Sequence, residues 1–462
     1  MAAHQAVLDL LSPSPLIAGL VVLGMVGFGV AVASPSVLRG KHPMFGMADG
    51  VEDGGMKRGI TSNLLQGWLG GGDAKRRASN NESAAPPKIE PVPQDFSWQD
   101  TVPLKLRPFK PTYFITMALR SSTPSDLIVM DSNYLQRIRD RKDVIKSHPE
   151  HVLGCIPGPP PMNDAAPDAE QRRAQHKALY NGSVGGVESV RELYAYLLGE
   201  YLPKRYPTLF SVSSPAAPGA VSTFHNNITG AAFPAKLPPL AADDTDAAIA
   251  ALKILGETVE DDLLLLQQDP SDDLGGGTGL HRLVATVCCN PSGFDPADKM
   301  GRVLRDIHAP VPAYGKIEKS MERFFSRLEV GKSSSRINWS ITTNPVLFNL
   351  ASNHIKEGQQ VDETEEIDPS KAFLRCELQT TTRLPGATGA VLFSFKTFMY
   401  PLPELREEEA EAEAESEGGR PGRLGPQLAD AIEGLRDGNA PGMWTYKGAV
   451  RWAGPVCEYL RS

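Results

Sequence analysis

The stretch 295–308 has the hydrophobic pattern of an amphipathic helix. It opens with an Asp-Pro pair, and its apolar residues then recur at the i, i+3, i+4, i+7 spacing that places them on one helical face. Asp295 is the expected N-cap, and Pro310 disfavours helical geometry at the residue before it. The pattern therefore predicts one helix, with His308 in its last turn and on the same apolar face as Leu304.

Other stretches separate into helical and extended patterns. Amphipathic periodicity predicts helices over 131–145, with Asp131 as N-cap, over 189–207, ending near Pro203, and over 316–330. After Gly331 the hydrophobic period changes to two, which predicts strands over 335–343, 372–385 and 390–402, the last two joined in a hairpin by the turn LPGATG. Helices followed by meandering strands indicate an α+β fold on an antiparallel sheet rather than a doubly wound parallel one.

Three irregular segments divide the chain. Residues 35–98 are rich in Gly, Ala, Pro and charge and are interpreted as a disordered linker, while 213–239 is predicted to be a long loop insertion. Residues 404–423 form an acidic run that is predicted to be solvated and disordered. The main domain is accordingly expected over 99–403, with 424–462 as its C-terminal part.

The first 34 residues contain a candidate membrane anchor. A short N-terminal segment, 1–15, precedes an apolar stretch at 16–34 that is near the lower length limit for a transmembrane helix. Basic residues follow this stretch and none precedes it, which predicts a single-pass membrane protein with its main domain in the cytosol. The alternative is a cleaved signal peptide and the secretory pathway, since Ala31-Val32-Ala33 resembles a cleavage site and four Asn-x-Ser/Thr sequons occur.

Composition and missing motifs exclude several function classes. The 462 residues are 41% hydrophobic and carry a formal charge of −8, so nucleic acid is not an expected partner. Five scattered cysteines lack C-x-x-C spacing, which argues against a zinc or iron–sulfur site and against a disulfide framework. The glycine-rich run 273–280 lacks the register of a nucleotide-binding loop, and hydrolase and metalloprotease motifs are missing as well.

His308 and a row of polar residues on a predicted strand remain as candidate chemistry. An imidazole on an apolar helix face can ligate haem iron, or it can simply cap the helix end. Arg375, Glu377 and Gln379 recur at period two, which is typical either of the solvent face of a strand or of a polar pocket. The adjacent thiols at 288 and 289 could supply a thiolate ligand or could just be buried.

Four separated blocks resemble one protein family in sequence order. They are LRPFKPTYFITMALR (106–120), NPSGFDPADKMGRVLRDIHAPVP (290–312), RFFSRLEVGKSSSRINWSI (323–341) and LRCELQTTTRLPGATGAVLFSFKTFMYPL (374–402). Together they resemble the haem-dependent oxidative N-demethylase alpha-subunit-like family, including its fungal HRQ-type members. The resemblance covers about residues 99–403 and the final YKGAVRWAGPVCEYL. It implies a PAS-like antiparallel sheet with flanking helices around a haem pocket.

The resemblance also assigns roles to individual residues. His308, within the block IHAPVP, becomes the expected axial ligand of the iron. Guanidinium groups bind carboxylates in bidentate fashion, so the candidates for the haem propionates are Arg305, Arg336 and Arg375. Expected to line or support the distal pocket are Glu377, Gln379 and Arg383. The sequence departs from the family pattern at Leu378, where a basic residue is expected between Glu377 and Gln379.

The function implied is haem-dependent oxidation of an N-methyl group. The expected cofactor is haem b, the substrates are O2 and a small amine or N-methylated metabolite, and the methyl carbon leaves as formaldehyde. A separate flavin and iron–sulfur reductase is implied as the electron source, because this chain shows no fingerprint for either group. Two alternatives stay open: a membrane-tethered haem sensor or carrier of the same fold, and a haem-free interaction protein.

Overall fold

The computed structural model describes residues 87–160, 165–215, 221–269, 279–351, 353–355, 366–409 and 422–462. Seven strands of these regions form one antiparallel sheet in the order β1-β8-β9-β10-β6-β7-β2, and three short strands form a second sheet in the order β3-β4-β5. The strands are β1 Arg120–Ser122, β2 Leu153–Cys155, β3 Phe210–Ser213, β4 Thr223–Asn226, β5 Ala232–Pro234, β6 Asp262–Gln268, β7 His281–Val287, β8 Ser333–Thr342, β9 Phe373–Arg383 and β10 Val391–Pro401.

Helices cover both faces of the large sheet. They are α1 Tyr134–Ser147, α2 Pro149–Val152, α3 Ala169–Tyr180, α4 Val187–Tyr196, α5 Leu202–Arg205, α6 Thr245–Gly256, α7 Leu304–Ile307, α8 Glu318–Arg327, α9 Leu402–Glu407, α10 Leu424–Glu433, α11 Met443–Tyr446 and α12 Ala449–Arg461. A π-helical turn, Leu197–Tyr201, joins α4 to α5. A sheet enclosed in this way buries both faces of its central strands, as the nearly continuous burial of β9 and β10 shows.

Successive side chains of β9 point to opposite faces of the sheet. Leu374 and Cys376 pack with α9, α10 and α12 in one hydrophobic cluster, and we call this side the helix face. Arg375, Glu377 and Gln379 point to the other side, which we call the site face. Pairing of β8 with β9 places Arg336 opposite Gln379 and Asn338 opposite Glu377, so both residues of β8 also point to the site face.

A third hydrophobic cluster covers one end of the site face. Leu304 from α7 and Met321 and Phe325 from α8 pack there with Tyr314 and with the sheet residue Val391. The polar residues of β8 and β9 lie beside this cluster. The site face therefore has an apolar end under α8 and a polar end next to it.

The structure confirms the mixed helix and strand architecture and the antiparallel sheet. The predicted hairpin of β9 and β10 pairs over its full length, from Val391 opposite Arg383 to Pro401 opposite Phe373. The three predicted strands correspond to β8, β9 and β10, and the last predicted helix corresponds to α8. The PAS-like character of the fold stays a prediction.

The predicted single helix over 295–308 is wrong. A 3-10 turn, Ala297–Lys299, is followed by extended residues, and helix resumes only at Leu304 for four residues. Gly301 has a φ of 73°, a left-handed conformation that glycine adopts readily and that interrupts a helix. The amide of Gly301 donates to Leu283 O, and the amide of Leu283 donates to Arg302 O. Hydrogen bonds to the edge of β7 thus replace those of the predicted helix.

Several predicted boundaries also differ from the structure. The residues before 99 already pack on the domain, since Val92 N donates to Arg205 O at 2.8 Å. The predicted loop 213–239 contains β4 and β5, and the first residues of the predicted disordered segment 404–423 belong to α9. Pro203 lies inside α5, and Asn133 rather than Asp131 is the N-cap of α1. In the first three cases tertiary pairing orders segments that have little periodicity of their own.

Within the described residues, no helix combines the length and the apolar character needed to cross a membrane. The predicted anchor at 16–34, the segment 1–15 and the linker up to residue 86 lie outside the described residues. The anchor and the cytosolic location of the main domain stay predictions.

Candidate haem-binding site

His308 is the C-cap of α7 and is half-buried. Its Nδ1–H donates to Leu304 O at 2.8 Å, and its ring stacks on Tyr314 with 4.8 Å between centroids and 9° between planes. Burial lowers the pKa of His308 to about 4, and the charges of Lys299 and Arg336 lower it further. The imidazole is therefore neutral near pH 7. Because Nδ1 carries the proton, Nε2 presents a lone pair that no described residue engages, as metal binding requires.

Arg336, which belongs to β8, lies close to His308. Burial lowers the pKa of Arg336, while Tyr113 and Glu377 partly offset this effect. Its Nε is buried without a hydrogen-bond partner, and its guanidinium makes no ion pair or hydrogen bond with any residue that the structure describes. Arg336 as a whole is half-buried, but a buried donor such as this Nε is costly to leave unpaired unless a ligand completes it. Arg336 is therefore suited to hold a carboxylate such as a haem propionate.

Glu377 lies next to Arg336 on the site face and is 7% exposed. Asn338 Nδ2 and Gln379 Nε2 donate to the same oxygen, Glu377 Oε2, at 3.2 and 2.9 Å. The two amides fix the orientation of the carboxylate. Its second oxygen, Oε1, accepts no hydrogen bond from the described residues and can receive an N–H from a bound molecule.

A second neutral histidine, His354, lies near the same group. Burial lowers the pKa of His354 to about 3, and the charges of Lys447 and Lys299 act in the same direction. Its ring lies 4.4 Å from the ring of Tyr446, and it hydrogen-bonds the backbone of Ser292. The charge of Lys299 lowers the pKa of both His308 and His354. The two imidazoles therefore flank the same region of the site.

Lys447 adds a further buried cation. Its Nζ donates to Trp339 O and lies 5.4 Å from the centroid of the Trp339 ring. Burial lowers the pKa of Lys447 to about 8, and the charge of Glu377 opposes that shift. Arg336 and Lys447 thus both lie near the carboxylate of Glu377, while Lys299 lies near the two histidines. The net positive charge suits a ligand that carries carboxylate groups.

The structure does not bring Arg305 and Arg383 into this group. The side chain of Arg305 is 56% exposed and lies 3.4 Å from Asp306. Arg383 donates to three backbone carbonyls, those of Leu328, Phe325 and Gly389. It therefore joins the end of α8 to the turn between β9 and β10. Its expected role in lining or supporting the distal pocket stays a prediction.

Arg375 lies in the predicted row, but it holds loops together. Its side chain is 1% exposed and donates to Asn290 O at 2.6 Å and to Leu347 O at 3.1 Å. These bonds occupy both Nη atoms and leave only the buried Nε without a partner, whereas neither Nη atom of Arg336 is bonded to a described residue. We infer that Arg375 shapes the wall of the site, which contains the segments around 290 and 347, rather than binding the cofactor.

The thiolate alternative does not fit the structure. Cys288 and Cys289 are fully buried, and burial raises the pKa of Cys289 to about 12 and that of Cys288 well above its usual range. The nearby carboxylate of Asp262 raises both further. Both thiols therefore stay protonated and are unsuited to ligate iron.

Leu378 lies on the helix face, opposite to Glu377 and Gln379. It packs against the cluster formed by α9, α10 and α12. The departure from the family pattern at this position therefore changes the packing behind the sheet and leaves the row of polar groups in the site intact.

The sequence interpretation missed His354, Lys299, Lys447 and Asn338. His354 belongs to an irregular loop that has no hydrophobic period, so nothing in its surroundings distinguished it. Asn338 had a usable signal, because it alternates with Ile337 and Trp339 in the predicted strand and must share a face with Glu377 in an antiparallel pair.

One family model matches this chain. It is that of the haem-dependent oxidative N-demethylase, alpha subunit-like family, and the match covers residues 118–457. These residues contain the whole group described above and most of the chain. The chain therefore belongs to this family.

Proposed function

We propose that this member of the haem-dependent oxidative N-demethylase, alpha subunit-like family binds haem b on the site face and removes a methyl group from a small amine. The main support is His308, a neutral imidazole with its Nδ1–H bonded to Leu304 O and its Nε2 available. The sheet with helices on both faces is compatible with the predicted PAS-like haem pocket. Bound haem would supply the activation of O2 and the one-electron chemistry that protein side chains cannot perform.

In this proposal His308 would hold the haem iron through Nε2, and Arg336 would hold a propionate. The hydrogen bond from Nδ1 to Leu304 O fixes the tautomer and orientation of the ring. In other metal sites, too, the ring N–H that does not face the metal donates to a carbonyl or carboxylate. Stacking on Tyr314 restrains the ring further. Arg336 gains in the complex the hydrogen bonds that its buried Nε lacks, which makes binding of the carboxylate favourable.

Glu377 binds the substrate amine. A secondary amine is protonated near pH 7, so its N–H groups can donate to Oε1 of Glu377, the oxygen left unoccupied by Asn338 and Gln379. The carboxylate would orient the methyl carbon and can accept the proton that the amine loses. The methyl carbon would lose two electrons and leave as formaldehyde with one oxygen atom of O2. A separate reductase would deliver the other two electrons, and with two protons the second oxygen atom becomes water.

His354 is the competing axial ligand, because it too is half-buried, neutral and close to Lys299. The test is a haem titration of the full-length chain, followed by its absorption spectrum, for the native protein, His308→Ala and His354→Ala. We expect a Soret band that is lost or shifted in His308→Ala and retained in His354→Ala. The reverse result would assign the iron to His354, and a native chain that binds no haem would contradict the proposed function.

Turnover is tested separately from binding. Loaded protein is supplied with dimethylamine, O2 and a chemical electron donor, and formaldehyde is measured. We expect Glu377→Gln to retain the Soret band and to lose at least about tenfold in rate, because the amide cannot pair with an ammonium group. Haem binding without formaldehyde production from any N-methylamine would favour a haem sensor or carrier instead.

A further inference from the structure

Three basic residues form a stripe along the outer side of α8. Lys319, Arg323 and Arg327 are all exposed, and their spacing of four residues places them on one helical face. We call these residues the basic stripe. Met321 and Phe325 occupy the opposite side of the helix and are buried in the cluster on the site face.

The acidic residues of α8 do not neutralise Lys319 and Arg323. Glu322 turns inward, where its Oε2 lies 2.8 Å from His281 Nδ1. Glu318 is half-buried, and together with Glu322 it raises the pKa of Tyr314 beyond the effect of burial. Among the described residues, Lys319 and Arg323 have no ion-pair or hydrogen-bond partner. The outer side of the helix is therefore positive on a chain whose net charge is −8.

The stripe lies directly outside the candidate haem site. Tyr314 O–H donates to Met321 Sδ at 3.4 Å, and the ring of Tyr314 stacks on His308. One layer of side chains thus separates α8 from the proposed axial ligand. A partner bound on the stripe would approach the iron more closely through this layer than through the helices on the opposite face of the sheet.

We propose that an acidic electron-carrier protein docks on the basic stripe and delivers electrons to the site. This inference rests on the proposed function, in which each turnover needs two electrons from outside the chain. A carrier with a flavin or iron–sulfur centre loses one electron per encounter, and the haem iron gains it. Opposite charges on the two surfaces would accelerate association and orient the partner, whereas the negative chain as a whole repels it elsewhere.

The first test is binding, which needs no haem. A labelled [2Fe–2S] ferredoxin with an acidic surface is titrated with the full-length chain at low and at physiological salt, and fluorescence anisotropy gives the Kd. We expect Lys319→Glu combined with Arg323→Glu to weaken binding at least about tenfold at low salt, and added salt to weaken binding of the native chain. Lys142→Glu combined with Lys146→Glu is the matched control, because it changes the net charge equally on the exposed side of α1.

Equal Kd values for the three proteins, or binding that ignores salt, would overturn the proposal. The proposal would also be overturned if the stripe substitutions abolished binding to phosphatidylserine vesicles but left the Kd for ferredoxin unchanged. In haem-loaded protein, the stripe variant should be reduced more slowly by ferredoxin and at the native rate by dithionite. A chain that binds ferredoxin through the stripe but shows no Soret band would contradict the haem function and leave the docking surface in place.

Discussion

Two buried polar regions of this protein differ in how their charges are satisfied. In the first, Arg141 donates to Gly256 O, to Glu260 O and to Asp262 Oδ1, the last at 2.5 Å. Lys396 donates there to Asp131 at 2.7 Å and to Glu260 at 3.0 Å. We call this group the ion-pair cluster. In the second region, the candidate haem site, Arg336 has no such partner and Glu377 Oε1 accepts no hydrogen bond from the described residues.

The difference indicates which buried charges stabilise the fold and which await a ligand. In the ion-pair cluster, protein groups compensate most of the desolvation of each cation. Loss of one member would leave the charge of its partner buried and unpaired, which is strongly destabilising. At the site, Arg336 is half-buried, and the rest of the fold offsets the cost of burying its Nε without a partner until a carboxylate binds. Buried polar groups that the protein itself leaves unsatisfied are characteristic of ligand sites. The two regions should therefore respond in opposite ways to similar substitutions.

Substitution of Arg141 should have the largest effect on stability. Arg141→Met leaves Asp262 buried without its cation, and we expect the free energy of unfolding to fall by about 3–5 kcal/mol. Unfolding in guanidinium chloride measures this change. Arg139→Met, on the exposed side of the same helix, is the control and should change stability by less than about 0.5 kcal/mol. A loss below about 1 kcal/mol for Arg141→Met would mean that the cluster is not what stabilises this region.

The pH dependence of stability should reveal uncompensated carboxyl groups in and beside the ion-pair cluster, and Asp261 is the clearest of them. Burial raises the pKa of Asp261 to about 7, and its Oδ2 has no hydrogen-bond partner. An aspartate in the unfolded chain has a pKa near 3.9, so the unfolded state loses its proton first as the pH rises. The carboxyl therefore destabilises the fold progressively from about pH 4 to about pH 7 and fully above that range.

Asp261→Asn removes this contribution. We expect the variant to be more stable than the native protein by about 4 kcal/mol at pH 8 and to differ little from it at pH 4. Thermal unfolding across this pH range provides the measurement. Glu260, whose pKa burial also raises to about 7, should leave a residual slope in the variant. A variant that is less stable at pH 8 would show that the charge of Asp261 is needed by its cationic neighbours.

Substitution of Arg336 should affect ligand binding rather than folding. For Arg336→Gln we expect the apparent affinity for haem to fall about tenfold, because the charge-assisted contact with a propionate is lost. Stability should be unchanged or slightly higher, since a half-buried cation with an unpaired Nε is removed. A titration followed at the Soret band and an unfolding curve of the haem-free chain measure the two effects. Arg305→Gln is the control, because that side chain is exposed, and an equal loss of affinity in both variants would contradict the assignment.

Sequence patterns predicted the parts of this molecule that depend on local periodicity. The strands β8, β9 and β10 and the helix α8 follow from alternation of period two and from an amphipathic stripe, and both signals reflect which face is buried. The interrupted helix before His308 could not be predicted in this way. Its hydrophobic spacing is helical, but Gly301 and the backbone of β7 offer competing hydrogen bonds that depend on the tertiary fold.

The candidate site shows the same division. Glu377 and Gln379 were predictable as a row on one face of a strand, and the free Nε2 of His308 fits the role that the resemblance implied. Sequence could not show that the Nη atoms of Arg375 donate to backbone carbonyls while Arg336 has no such partner. Both are arginines on neighbouring strands. The partners that decide between them come from loops around residues 290 and 347, which lack any periodic signal.

The smallest effect is expected at Leu378, where the family pattern calls for a basic residue. Leu378→Lys restores that character, yet the side chain lies on the helix face and packs beside α9, α10 and α12. We expect a stability loss of about 1 kcal/mol from the charge placed against an apolar surface, with the Soret band and the haem affinity unchanged. Leu378→Met is the control, since it keeps the apolar contact. If Leu378→Lys instead altered haem binding, charge behind the sheet would reach the site, and the separation between its two faces would no longer explain which polar groups serve the ligand.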